Sequence, residues 1–226
     1  MDERAPLQVV ALISGSGSNL QALMDAQRQG APIRLQAVIS NTAEAYGLER
    51  ARHQGIPTEV LSHRGYADRD AFDADLAALI DRHNPELVVL AGFMRILTPG
   101  FVNRYAGRMM NIHPSLLPKF RGLNTHQRAL DAGEREHGAS VHFVTAELDG
   151  GPVIIQARVP VLADDDAGSL AARVLKQEHR LYPTAVGWFA EGRLRLGEDG
   201  RAHLDGRALQ APMLMEAAAA PEPAPS

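Results

Sequence analysis

The fold is decided by the stretch Leu7-Gln8-Val9-Val10-Ala11-Leu12-Ile13-Ser14-Gly15-Ser16-Gly17-Ser18-Asn19. Its apolar start, residues 7–13, is typical of a strand that is buried on both faces of a parallel sheet. A turn rich in glycine and serine follows, and Leu20, Leu23 and Met24 then recur at helical spacing. This order predicts an α/β fold with a mostly parallel, twisted sheet and helices on both faces.

The glycine turn at residues 14–19 is a candidate phosphate site. Glycine lets the backbone approach a ligand closely, and the free amides at the start of a helix favour an anion. The turn has neither the lysine of the nucleoside-triphosphate loop nor the third glycine of the dinucleotide motif. It therefore suggests a single phosphate group more than ATP or NAD, and a tight turn without a ligand is equally consistent with the residues.

Strand and helix patterns alternate after this turn. Strands are predicted at residues 33–40, 56–61 and 87–92, and helices at residues 45–54 and 66–83. In the second of these helices Asp73 is expected to face solvent. This alternation predicts repeated strand–helix–strand units.

The C-terminal half has a different pattern. Residues 138–144 and 153–161 alternate as strands around an Asp-Gly turn, which predicts antiparallel pairing in this half. A long helix is expected at residues 169–190, where Pro183 should kink or divide it. At 226 residues with 45% hydrophobic content, we expect a single domain over residues 1–200. Residues 201–226 are then an extension, expected to be disordered from about residue 217 because it is rich in alanine and proline.

Composition excludes several classes of function. A net charge of −4 argues against a nucleic-acid partner, which normally requires a basic excess. The chain has no cysteine, so disulfides, thiolate nucleophiles and thiolate metal sites are excluded. No apolar run approaches the roughly 20 residues of a membrane span, and no signal-peptide segment follows the charged start. We expect a cytoplasmic protein without a membrane partner.

Candidate catalytic residues follow in the stretch 109–118, where an apolar run ends in an amide and an imidazole. Asn111 and His113 are two residues apart, so their side chains leave an extended strand on the same face. Pro114 and Pro118 stiffen the exit and hold His113 near the strand end, where parallel sheets bind ligands. An amide beside an imidazole suits carbonyl chemistry. A structural histidine at a strand end is the alternative.

Two further features remain open on the residues alone. The stretch after the strand 87–92, residues 93–97, is apolar, and this indicates either the wall of a ligand pocket or a buried connection. Asp149 precedes two glycines, and a structural role in a turn is the simpler interpretation.

Taken together, these motifs resemble those of the folate-dependent glycinamide ribonucleotide formyltransferases. The resemblance covers roughly residues 8–195 and rests on five segments in the family's order: residues 14–19, 91–97, 111–118, 138–143 and 148–151. It implies a Rossmann-like formyltransferase fold and transfer of a formyl group from 10-formyltetrahydrofolate to the amine of phosphoribosylglycinamide in purine synthesis. The chain departs from the family at Asn124 and at Phe120-Arg121.

The resemblance also implies roles for individual residues. The catalytic residues are Asn111, His113 and Asp149; the ribonucleotide residues are Gly17, Ser18 and Asn19 at the phosphate and Glu178 at the ribose; and the folate residues are Arg69, Met94, Arg95, Ile96, Leu97 and Asn111. No metal is expected. The partners are small-molecule substrates, and the protein is a monomer or a homodimer.

The mechanism that these roles imply follows from charge. Attack of an amine on a formyl carbon produces a negative oxygen and a positive nitrogen, so the site needs a donor and a proton acceptor. Asn111 and protonated His113 would be the donors. Asp149 would pair with the imidazole and take the amine proton, directly or through a water.

Three other functions are alternatives to formyl transfer to the ribonucleotide. Hydrolysis of 10-formyltetrahydrofolate would use the same three side chains on water, but such hydrolases carry an N-terminal regulatory domain, and only about six residues precede the first strand here. A methionyl-tRNA formyltransferase would need a C-terminal nucleic-acid-binding domain. A non-enzymatic folate-binding relative would be expected to lose a catalytic residue, and none is missing.

Overall fold

The structure, a computed structural model, describes residues 5–215. The first part of the chain contains β1 (Leu7–Ile13), α1 (Ser18–Arg28), β2 (Ile33–Ser40), α2 (Tyr46–His53), β3 (Thr58–Val60), α3 (Arg69–Asp81), β4 (Leu87–Leu90), α4 (Pro99–Arg104), β5 (Met109–His113) and α5 (Thr125–Asp131). The second part contains β6 (Glu136–Phe143), β7 (Val153–Pro160), α6 (Ala167–Ala190), β8 (Leu194–Leu196), β9 (Ala202–Leu204), β10 (Arg207–Ala208) and β11 (Met213–Met215).

The main sheet has eight strands in the order β11-β7-β6-β5-β4-β1-β2-β3. Five neighbouring strands, β5, β4, β1, β2 and β3, are mutually parallel, as expected when helices connect successive strands. β6 runs antiparallel between β5 and β7, and β11 returns parallel to β7. The predicted fold class, including antiparallel pairing in the C-terminal half, is confirmed.

The two faces of the sheet carry separate parts of the core. Along β1, Val9, Ala11 and Ile13 pack on the face covered by α1, α2 and α6, whereas Val10 and Leu12 pack on the face covered by α3 and α4. All five side chains are fully buried. A strand with apolar residues in both registers can be stable only between two layers of helices, which explains the continuous apolar run in this part of the sequence.

The expectation that Asp73 faces solvent is wrong. Its side chain is buried, with 4% of the residue exposed, and its carboxylate accepts a hydrogen bond of 2.6 Å from the backbone N–H of Thr98. Thr98 is the N-cap of α4. Asp73 therefore ties the start of α4 to α3, a contact that helical periodicity within α3 alone does not reveal.

Pro183 does not divide the last helix, because α6 is one helix of 24 residues. Its neighbour Tyr182 is fully buried, and the Tyr182 hydroxyl lies 2.9 Å from the carbonyl oxygens of Leu90 and Met110. Packing against β4 and β5 thus holds the helix together around the proline. The same contact fixes α6 relative to the last residue of β4 and the second residue of β5.

Residues after 200 take part in the described fold. β8, β9 and β10 form a small antiparallel sheet, and the buried residues Leu194, Ala202 and Leu204 belong to the main core. β11 pairs with β7 through Met213–Met215. The domain boundary at residue 200 stays a prediction, and the predicted disorder from residue 217 falls outside the described residues. Over residues 5–215, none of the helices has the length and apolar character that a membrane crossing requires.

Candidate active site

Two of the three candidate catalytic residues, Asn111 and His113, lie at the C-terminal end of β5, between the parallel strand β4 and the antiparallel strand β6. Asn111 pairs with Leu90 of β4 and with His142 of β6, and His113 pairs with Ser140 of β6. His113 is buried, whereas Asn111 remains partly accessible. The two-residue spacing thus places amide and imidazole on one face, as the sequence predicted.

His113 has a different neighbour at each ring nitrogen. Nε2 lies 2.9 Å from the carbonyl oxygen of Phe120, which can only accept, so Nε2 carries a proton. Nδ1 lies 3.4 Å from Oδ2 of Asp149. The side chains of His113 and Asp149 are only 7% and 8% exposed. A second ring proton, at Nδ1, would therefore face a carboxylate that water screens poorly.

Asp149 lies in the connection between β6 and β7, with a positive φ of 49°. Asn and Asp tolerate this conformation better than most side chains. The carboxylate accepts a hydrogen bond of 2.8 Å from the backbone N–H of Gly122. Asp149 is therefore held from both sides, by its turn and by the loop that follows β5, and is directed toward His113.

His142 is a site residue that the sequence analysis placed only in a strand. Its Nε2 lies 3.2 Å from Nδ2 of Asn111 and 3.8 Å from Oδ1 of Asp149. Burial lowers the pKa of His142, because the charged ring would lose its hydration. The available signal was a polar residue inside the apolar run around Val141 and Phe143.

A cleft opens beside these side chains. It is lined by Leu90, Phe93, Arg95, Ile96, Leu97, Val102, Asn111, His142, Val144, Thr145, Ala146, Glu147, Leu148 and Asp149. Ile96 is 56% exposed, so the apolar loop after β4 is a pocket wall and not a buried connection. The structure thus brings Arg95, Ile96, Leu97 and Asn111 together. Arg69, at the start of α3, and the exposed Met94 lie outside this lining within the described part of the chain.

The glycine turn lies at the N-terminus of α1. Gly17 has a φ of 69° and precedes Ser18, the first residue of the helix. Within residues 5–215, no side chain caps this helix start, so the amides of the first turn are directed away from the helix without a capping partner. The turn can therefore receive an anion.

Glu178 is close to this turn. Its carboxylate accepts a hydrogen bond of 2.6 Å from Nδ2 of Asn19. Burial raises the pKa of Glu178, because the charged form is poorly hydrated there. The structure thus brings the predicted phosphate residue Asn19 and the predicted ribose residue Glu178 into contact across 159 positions of sequence.

The glycine turn and the loop after β4 are joined by Ser14. The Ser14 hydroxyl accepts a hydrogen bond of 2.7 Å from the backbone N–H of Met94 and donates one of 2.6 Å to Oδ1 of Asn41. The backbone N–H of Ser14 donates to the carbonyl oxygen of Gly92 at 3.0 Å. The predicted ribonucleotide and folate regions are therefore neighbours at one edge of the sheet.

A larger groove of about 560 Å³ runs between α1 and α6. It includes Ser18 and Arg50 but none of the three catalytic candidates. Nε of Arg50 donates to the carbonyl oxygen of Ser16 at 2.8 Å, which places a cation beside the glycine turn. Arg50 lies in another helix, so local sequence gave no signal for its position. The titratable groups converge at the smaller cleft, which makes it the candidate site of the chemistry. Among the described residues, no cluster of His, Asp or Glu has an arrangement suited to a metal ion.

A mostly parallel sheet with an amide, an imidazole and a carboxylate close to the end of β5 is compatible with a group-transfer enzyme. The formyl transferase family matches this chain over residues 7–186, and the chain belongs to that family. The predicted enzyme class is confirmed.

Individual relatives agree with this assignment. The chain is 56% identical to the phosphoribosylglycinamide formyltransferase of Escherichia coli K12, over 90% of this chain and 96% of that protein. The structure matches that of the phosphoribosylglycinamide formyltransferase of Coxiella burnetii with a TM-score of 0.90 and 50% identity, over 93% of this chain and all of that one. A formyltetrahydrofolate deformylase from Pseudomonas putida KT2440 is more distant, at 30% identity and a TM-score of 0.78, with 88% of this chain and 70% of that one covered.

Proposed function

We propose that Asn111, His113 and Asp149 transfer the formyl group of 10-formyltetrahydrofolate to the amine of phosphoribosylglycinamide, a step of purine synthesis. The activity is that of full-length relatives of this chain. The observation that carries the assignment of residues is the contact of the Asp149 carboxylate with the ring of His113 at the end of β5, beside Asn111.

The three side chains have different roles, which follow from the charges that develop in the reaction. The amide N–H of Asn111 stabilises the negative charge that develops on the formyl oxygen. His113 contributes a second donor when its ring is protonated and one of its ring N–H groups exchanges the Phe120 carbonyl or Asp149 for the formyl oxygen. Asp149 accepts the proton that the attacking amine loses, directly or through a water. The bond from the formyl carbon to N10 of the folate then breaks, and this proton is passed to N10 to give tetrahydrofolate.

The cleft suits the folate co-substrate. Its walls include Phe93, Ile96, Leu97 and Val102, which are apolar and suit a flat ring. We assign Arg95 to the same co-substrate, together with Met94 and Arg69, which lie outside the lining of the cleft. The transferred group is then delivered beside Asn111.

The second substrate fits the glycine turn. Gly17, Ser18 and Asn19 offer backbone amides to one phosphate, and Glu178 accepts hydrogen bonds from ribose hydroxyls. Both substrates are small molecules. We propose a cytoplasmic enzyme that acts as a monomer or a homodimer.

The test compares transfer with hydrolysis. Purified protein is mixed with 10-formyltetrahydrofolate, with and without phosphoribosylglycinamide, and tetrahydrofolate, formate and the formylated ribonucleotide are quantified. We expect tetrahydrofolate to form only with the ribonucleotide, in equal amount to the formylated product. Release of formate at a similar rate without the ribonucleotide would contradict the proposal and support the hydrolase.

A further inference from the structure

His142 is a buried histidine to which the proposed mechanism gives no role. It lies in β6 directly opposite Asn111, and 2% of the residue is exposed. Nδ1 of His142 lies 2.9 Å from the carbonyl oxygen of Phe143. Because a carbonyl oxygen only accepts, Nδ1 carries the ring proton, and the neutral ring is left with a lone pair at Nε2.

The charges around the ring favour this neutral form. Burial is the main cause that lowers the pKa of His142, and the positive charges of His113 and Arg121 act in the same direction. The carboxylate of Asp149, with Oδ1 at 3.8 Å from Nε2, opposes them. The balance leaves Nε2 as an acceptor at neutral pH.

The lone pair at Nε2 determines how the neighbouring amide is oriented. Nδ2 of Asn111 lies 3.2 Å away, and only one of the two orientations of an amide presents an N–H to a lone pair. In the other orientation Oδ1 would face Nε2, and two acceptors would repel each other.

We propose that His142 is a positioning residue, which holds the amide of Asn111 with its nitrogen at the formyl oxygen. One N–H of Nδ2 binds Nε2 of His142, and the second N–H of the same nitrogen is left for the substrate. The inference rests on the proposed role of Asn111. Without the acceptor the amide rotates freely, and in the rotated state an oxygen faces the developing negative charge.

Two substitutions separate the two hydrogen bonds of the ring. His142→Asn places an amide N–H near the position of Nδ1 and keeps a donor for Phe143, but its side chain is too short to reach Asn111. His142→Gln places an amide oxygen near the position of Nε2 and keeps the acceptor for Asn111, but it has no donor for Phe143. Both replacements are polar and uncharged and differ by one methylene group, and each keeps the hydrogen bond that the other loses, so each serves as the control for the other.

We expect kcat of His142→Asn to fall about tenfold to a hundredfold, with KM for both substrates nearly unchanged, because loss or misplacement of one oxyanion donor has effects of this order. His142→Gln should retain most of the wild-type kcat. In the Asn111→Ala background, His142→Asn should have no further effect. An equal loss in both variants, or no loss in either, overturns the inference.

A measurement on the unsubstituted protein does not depend on how the variants fold. The ¹⁵N chemical shifts of the His142 ring should show a neutral ring protonated at Nδ1 at neutral pH, and an Nε2–H tautomer overturns the inference. The proposed function fails separately: full activity of Asn111→Ala would remove the role of Asn111 itself, whatever the His142 variants do.

Discussion

Gly17 and Gly47 are in contact, and a β-carbon on Gly17 would lie 2.5 Å from Cα of Gly47. The start of α2 is thus packed directly against the glycine turn. This contact requires two residues without side chains, and it explains why Gly47 is glycine inside a helix, where this residue is normally unfavourable.

The first prediction is that Gly47→Ala weakens ribonucleotide binding. Its methyl group would lie 2.5 Å from Cδ1 of Ile13, the end of a side chain, and 3.0 Å from Cα of Gly17, so the backbone of the turn must shift by a few tenths of an ångström. We expect the affinity, measured by calorimetry, to fall about tenfold, which corresponds to roughly 1.4 kcal/mol. Gly187→Ala is the control, since Gly187 is also inside a helix and its methyl group would meet nothing within 4 Å. Equal affinities of the two variants would refute the placement of the phosphate.

The second prediction separates a catalytic Asp149 from a turn residue. Asp149→Asn should keep the fold, because asparagine adopts the same positive φ and its amide oxygen can accept from Gly122. Formyl transfer should nevertheless fall about a hundred- to ten-thousand-fold, since the negative charge beside His113 and the proton acceptor are both lost.

Single-turnover transfer from about pH 5 to about pH 9 is the measurement for Asp149→Asn. Calorimetry with each substrate shows whether binding survives. A rate near that of the wild type at neutral pH would leave Asp149 as a turn residue. Loss of folate binding with an intact chemical step would instead assign it to the walls of the cleft.

The sequence predicted those parts of the fold that depend on contiguous residues. β1, β2 and the strand end at Asn111 and His113 were predicted because apolar runs and side-chain alternation are local patterns. His142 was missed as a site residue because its partner Asn111 lies 31 positions away, and antiparallel register cannot be read from either strand alone. Asp73 was misplaced for the same reason, since its partner Thr98 belongs to another helix.

The third prediction is that Glu178→Gln weakens ribonucleotide binding without lowering the stability of the fold at neutral pH. Glu178→Gln keeps an acceptor for Asn19 but removes a buried negative charge. Hydrogen bonds to a charged group are worth about 1.5–3 kcal/mol. We therefore expect ribonucleotide affinity to fall roughly tenfold to a hundredfold. Unchanged affinity would exclude Glu178 as the ribose ligand.

The difference in stability between Glu178→Gln and the wild type depends on pH in a defined direction. The pKa of Glu178 is raised in the folded state, so its contribution is favourable below the unfolded value of 4.5 and is lost as the pH rises through the folded value. At neutral pH we expect Glu178→Gln to be at least as stable as the wild type. Urea unfolding at several pH values should show this advantage shrinking as the pH falls toward 4.5. An advantage that grows on acidification would contradict the cause assigned here.

The last prediction is that residues beyond the expected domain boundary at residue 200 contribute to the stability of the fold. A chain that ends after Gly200 lacks Ala202 and Leu204, which are 2% and 8% exposed, and lacks the pairing of Leu204 with Leu194. Burial of one leucine stabilises by about 1.5–3 kcal/mol, so unfolding in urea should show a loss of at least about 2 kcal/mol. A chain that ends after Glu216 keeps these contacts and the pairing of β11 with β7, and should match the full chain in stability and in formyl transfer. Equal stability of both shortened chains would make residues 201–215 a separable extension. Loss of activity in the chain that ends after Glu216 would give residues 217–226 a function that their composition does not indicate.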